Sequence, residues 1–151
     1  MATARSAIKK ILSWVGIKEG PEADRVIIEP WNKVTGCKAK SKNNPWCGIT
    51  IASLFIQIKA AGYSKSAYCN KQREYYKRNK RWLDPPNRPV AGYVIFIEGH
   101  EGLVTSTSYN GTGKYTSGNS ANRVRTCSFN WKKAKAGKKK ILGYGIPKYT
   151  K

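Results

Sequence analysis

Over residues 49–60 the chain is apolar on almost every face of a helix, and such a helix must be enclosed by the rest of the fold. Ile49, Ile51, Ala52, Leu54, Phe55, Ile56, Ile58 and Ala60 supply the apolar surface. Asn44 is placed to cap its start, and Pro45 suits a first helical position, where its missing N–H costs nothing. Gly62 is placed to end it. Earlier, Ile8, Ile11, Leu12 and Val15 recur at the spacing of an amphipathic helix that Gly16 can stop. Residues 18–44 are polar and irregular, interrupted by Val26-Ile27-Ile28, and read as exposed loop around Lys38, Lys40 and Lys42. A basic segment, 66–81, reads as a third, exposed helix stopped before Pro85-Pro86.

After Pro89 the period changes. Tyr93-Val94-Ile95-Phe96-Ile97 and Leu103-Val104-Thr105-Ser106 read as strands, with Gly99-His100-Glu101-Gly102 as the turn between them. Weaker strand signals follow at 114–116, 123–126 and 141–149, whereas lysine-rich 131–140 reads as an exposed loop. Helices first and strands afterwards predict an α+β fold, with N-terminal helices packed on an antiparallel sheet, as one domain over 1–151.

Charge limits the partners. Twenty-nine Lys and Arg against 8 Asp and Glu give +21, a field that draws the protein to polyanions and makes that binding salt-sensitive. Nucleic acid, anionic cell-wall polymers and membrane surfaces all qualify. Lys71, Arg73, Lys77, Arg78, Lys80 and Arg81, interleaved with Tyr75 and Tyr76, resemble a nucleic-acid surface and equally a solvated helix face. No apolar run is long enough for a membrane span, and the N-terminal residues make a poor signal peptide. Four cysteines without a C-x-x-C pair, beside one histidine, offer no zinc site.

The chemistry gathers on two residues. A thiol attacks a carbonyl as its thiolate, and the first turn of a helix favours that anion through free N–H groups and the positive end of the dipole. Cys47 would sit there, and the same N–H groups could hold the oxyanion of a tetrahedral intermediate. His100, the one histidine, is the group that titrates near neutrality and is the candidate base. Trp46 could line a substrate cleft or be buried beside the helix start.

Asn44-Pro45-Trp46-Cys47-Gly48 opening an apolar helix, then a strand and His100-Glu101-Gly102-Leu103-Val104, then a Gly118-Asn119, resembles the CHAP and NlpC/P60 peptidoglycan hydrolases, often phage lysins. The similarity extends to Gly16-Ile17-Lys18-Glu19-Gly20 and Gly143-Tyr144-Gly145-Ile146-Pro147. It implies a papain-like cysteine hydrolase that cuts peptidoglycan peptide or amide bonds through an acyl-enzyme, with Cys47 as nucleophile and His100 as base. Some relatives hold calcium, but this chain has no Asp-x-Asp loop and Asp24 stands alone, so no cofactor is expected. The resemblance also implies synthesis in the cytoplasm of a phage-infected host and action at the bacterial cell wall, where the +21 charge would hold the protein on anionic wall polymers. Where relatives carry Glu-Gly-Asn after the His, this chain reads Ser117-Gly118-Asn119, so Asn119 becomes the candidate orienter of the imidazole, with Ser117 a weaker one. Ala91-Gly92-Tyr93 stands where relatives carry Pro-Gly-Asp. These departures leave open a weakened enzyme that only binds walls, and a basic nucleic-acid-binding protein is the reading from a different class.

Overall fold

The computed structural model describes residues 2–150. Helix α1 (Ala4–Leu12) opens on a capping box, in which Thr3 Oγ1 accepts the Ser6 N–H at 3.0 Å and Ser6 Oγ accepts the Thr3 N–H at 2.9 Å. Next come α2 (Pro21–Ala23), a π-helical turn (Asp24–Ile28) and α3 (Glu29–Thr35), which follow one another without a break. Residues 21–35 of the stretch expected to be irregular are therefore helical, whereas 36–46, with Lys38, Lys40 and Lys42 exposed, form a loop as expected. Ala23, Ile27, Ile28 and Trp31 are buried along the helical part, at a spacing that the π turn takes out of the 3.6 period. Helix α4 (Cys47–Gln57) is the enclosed one, with every residue from Cys47 to Phe55 buried. Helix α5 (Cys69–Arg78) follows.

The strands are β1 (Trp82–Leu83), β2 (Val94–Ile97), β3 (His100–Thr107), β4 (Thr112–Ser120), β5 (Arg123–Asn130), β6 (Lys135–Ala136) and β7 (Lys139–Gly145). All pair antiparallel in the order β1-β7-β2-β3-β4-β5-β6, and β6 also pairs with β7. That last pairing closes six strands into a barrel, with β1 attached outside along β7. The papain-like arrangement, with helices packed on an open antiparallel sheet, is thus not the fold. The closing strand lies within 131–140, the segment expected to be a loop. Its lysines face water around a two-residue strand that contributes Ala136 to the interior.

Closure follows from a strand set with two apolar faces. On β2, Val94 and Phe96 join the helix-side core while Ile95 and Ile97 join a second core inside the barrel, so all four residues are buried. Val104, Tyr115, Phe129, Ile141 and Tyr144 complete the inner core. Its aromatic rings pack in sequence at tilted angles, Tyr115 to Phe129 at 6.1 Å and Phe129 to Tyr144 at 6.4 Å. An open sheet would leave this second apolar face in water and its edge strands unpaired. Helix α4 lies across β3 and β4 on the other face, which brings its first turn to the start of β3.

Candidate active site

Helix α4 begins at Cys47 itself, two residues later than the proline pattern predicts. Trp46 takes the N-cap position, and Asn44 instead accepts the Lys40 N–H at 3.0 Å. No side chain caps this end of α4, so its first N–H groups stay available to an anion. Cys47 is buried, with 7% of its surface exposed. Its thiol is held down at about 4. A hydrogen bond from Cys69 is the largest cause, followed, against the opposing cost of burial, by a hydrogen bond and the charge of His100 and by the Glu101 backbone N–H.

His100 is the first residue of β3, not a turn residue, because Glu98 and Gly99 alone form the turn. It pairs with Ile97, while Glu101 pairs with Phe96, so the two side chains leave opposite faces of the strand. His100 Nε2 lies 2.8 Å from Ser117 Oγ. When Nε2 carries the proton it donates to that hydroxyl, leaving Nδ1 to take the proton of Cys47. Ser117 is fully buried on β4, so this contact is shielded from water.

Asn119, the first candidate for this role, makes no hydrogen bond to His100 among the described residues. It occupies a left-handed backbone position (φ 55°) at the irregularity between Ser117 and Ser120, and shares with His100 the lining of a hollow of about 260 Å³. Ser117 is the residue that holds the ring. The cleft-lining option for Trp46 is also set aside. Trp46 is fully buried, its Nε1 donates to Glu19 Oε1 at 3.3 Å, and Gly118 presses on its ring. It belongs to the core beside Cys47.

Two residues at the centre were not anticipated. Cys69 opens α5 as Cys47 opens α4, again without a side-chain cap, and the two Sγ atoms are 3.5 Å apart. Gln72, one turn on, fixes this meeting: its buried Nε2 donates to Gly48 O at 2.9 Å and to Ser66 O at 2.7 Å. The thiol of Cys69 is raised, first by its hydrogen bond to Cys47 and then by burial, so it keeps its proton and donates it to the Cys47 thiolate. Glu101 is completely enclosed, and neither carboxyl oxygen has a hydrogen-bond partner. Burial, and then the charge of Cys47, pushes its carboxyl well above the usual range. The signal for Cys69 was its place at the start of a predicted helix; for Glu101, only its place beside His100.

A larger hollow, about 520 Å³, borders the residues just before Cys47 and Cys69. Trp31, Lys38, Asn44, Pro45, Ile49 and Tyr68 are among its walls. In the segment considered as a nucleic-acid face, Tyr76 is fully buried against Tyr75 and Phe96, and Arg81 donates to Ile146 O and Pro147 O. Neither presents itself to a base or a phosphate. Among the described residues no helix is long and apolar enough to cross a membrane, and no cluster of three or more His, Cys, Asp or Glu is placed to hold a metal ion. No protein-family model, curated protein or solved structure matches the chain.

Proposed function

We propose that the protein is a cysteine hydrolase that cleaves peptide or amide bonds of bacterial peptidoglycan. The observation that carries this reading is the Cys47–His100–Ser117 alignment: a thiol held at about 4, an imidazole beside it, and a buried hydroxyl 2.8 Å from the imidazole's far nitrogen. Such an arrangement suits nucleophilic attack on a carbonyl. The Cys47 sulfur adds to the carbonyl carbon, and the oxyanion is received by first-turn N–H groups of α4. His100 passes its proton to the departing amine, which leaves an acyl group on Cys47. His100 then takes a proton from water, the resulting hydroxide attacks the acyl carbon, and the thiolate is released. The substrate class rests on the motifs around Cys47 and His100 together with the +21 charge, which suits phosphate-rich wall polymers.

The test is clearing of purified peptidoglycan suspensions, with mass spectrometry of the released fragments to identify the bond. Cys47→Ala is expected to abolish clearing and to leave the thermal melt nearly unchanged. A folded Cys47→Ala protein that still clears walls overturns the proposal.

A further inference from the structure

Hydrolysis as proposed uses one thiol, yet two meet at the site. Cys47 and Cys69 stand at the N-termini of two helices with sulfurs 3.5 Å apart, and Gln72 ties the first turn of one helix to the other. The neighbouring carboxyl of Glu101 is enclosed and has no hydrogen-bond partner. Cys37 is exposed on a separate segment, and Cys127 lies on β5 beside Ser120.

We propose that Cys47 and Cys69 are a redox couple, in which a peroxide oxidises Cys47 and Cys69 resolves it to an intramolecular disulfide that masks the nucleophile until a dithiol reopens it. In the first step the Cys47 thiolate attacks one peroxide oxygen. The O–O bond breaks, a sulfenic acid forms on Cys47, and the departing hydroxide takes up a proton to become water. In the second step the Cys69 sulfur attacks the Cys47 sulfur, and its thiol proton passes to the departing oxygen. The S–O bond breaks, and hydroxide leaves with that proton as a second water. Two thiols are oxidised and one peroxide is reduced to two waters. A dithiol reverses the state by two exchanges, ending oxidised itself.

A thiol that keeps its proton is a poor nucleophile. Once Cys47 is oxidised its negative charge is gone, and with it the largest influence that keeps the proton on Cys69. The inference rests on the thiol geometry and not on the substrate proposed above, so its test reads thiols rather than wall clearing.

The full chain, reduced and freed of reductant, is treated with hydrogen peroxide at a small molar excess, alkylated and digested with trypsin. Two of the four thiols are expected to disappear. Peptides 43–59 and 66–71, each with one cysteine, are expected joined and lighter by two hydrogen atoms, and dithiothreitol is expected to separate them. Cys69→Ser is expected to stop at the sulfenic acid, trapped on Cys47 by dimedone. Retention of four thiols, pairing through Cys37 or Cys127, or a dimedone adduct or sulfinic acid as the main product on Cys47 of the unaltered protein would each overturn the proposal. Should Cys69→Ser fail to fold, the digest of the unaltered protein decides alone.

Discussion

His100 Nε2 meets Ser117 Oγ at 2.8 Å, with Ser117 wholly enclosed on β4. A hydroxyl in that place fixes the plane of the ring, but it brings no negative charge to stabilise an imidazolium. The site is thus built for orientation more than for electrostatic support of the base. This relationship gives the first expectation. Ser117→Ala should lower kcat by roughly tenfold or more with little change in KM, because the ring loses its orientation while the substrate surface is untouched. Asn119→Ala should leave both near their original values. Steady-state kinetics on released peptidoglycan fragments separates the two; an unchanged kcat in Ser117→Ala removes Ser117 from the site.

Reactivity of Cys47 should persist into acid. With the thiol held at about 4, the thiolate dominates through the neutral range and declines only as pH falls toward that value. The rate of iodoacetamide labelling of Cys47 is therefore expected to be flat around neutrality and half-maximal near about pH 4. In Cys69→Ala the midpoint should move up, since the largest lowering influence is lost. A midpoint that stays put shows that Cys69 does not hold the anion.

Glu101 should leave its mark on stability against pH. The folded pKa of Cys47 lies below its ordinary 9.0, so its contribution is complete above 9.0 and is lost as pH falls toward about 4. That of Glu101 lies well above 4.5, so its contribution is complete below 4.5 and is lost as pH rises. Between those limits, until Glu101 ionises, the folded protein holds one proton more at Glu101 and one fewer at Cys47, and the two slopes cancel. Glu101→Gln removes one of them. Its stability relative to the unaltered protein should rise with pH, by at most about 1.4 kcal/mol per pH unit. Urea melts across a pH series measure this; parallel curves would mean that Glu101 does not carry the displaced proton.

Gly118 keeps β4 against α4. A Cβ there would collide with the Thr50 hydroxyl and stand 3.0 Å from Cε3 of Trp46, the residue before Cys47. Gly118→Ala is expected to cost about 1–3 kcal/mol and to lower activity more than the lost folded fraction accounts for. Thermal melts set beside specific activity distinguish this from simple unfolding.

The positive surface should act through salt. Lys132, Lys133, Lys135, Lys138, Lys139 and Lys140 are all exposed around the β6–β7 hairpin. Retention on purified cell walls is expected to fall steeply as ionic strength rises, and further when these lysines are replaced by Gln. Retention that high salt leaves unchanged would argue for recognition by shape instead.

Cys47 and His100 were legible because each is marked locally, one by an apolar helix beginning and the other by a change of period. Ser117 was visible only through the motif it departs from, and its preference over Asn119 depends on how the β4 backbone twists beyond it. Cys69 sits in a segment dominated by Lys and Arg, and no local pattern says that its helix starts against another helix start. The burial of Trp46 depends on Glu19 and Gly118, distant in sequence. Barrel closure rests on the two-residue strand Lys135–Ala136, too short to show an alternation. In each case the missing information was long-range packing, which periodicity does not carry.

The final pairing of β7 with β6 and β2 also governs timing. During synthesis Cys47 is made before His100 and Ser117, and the barrel that holds those two in place cannot shut until β7 is present. An unfinished chain therefore carries Cys47 without the imidazole and without the Glu101 N–H that help to lower its thiol. The full lowering of the Cys47 thiol thus waits on completion of the barrel, late in synthesis.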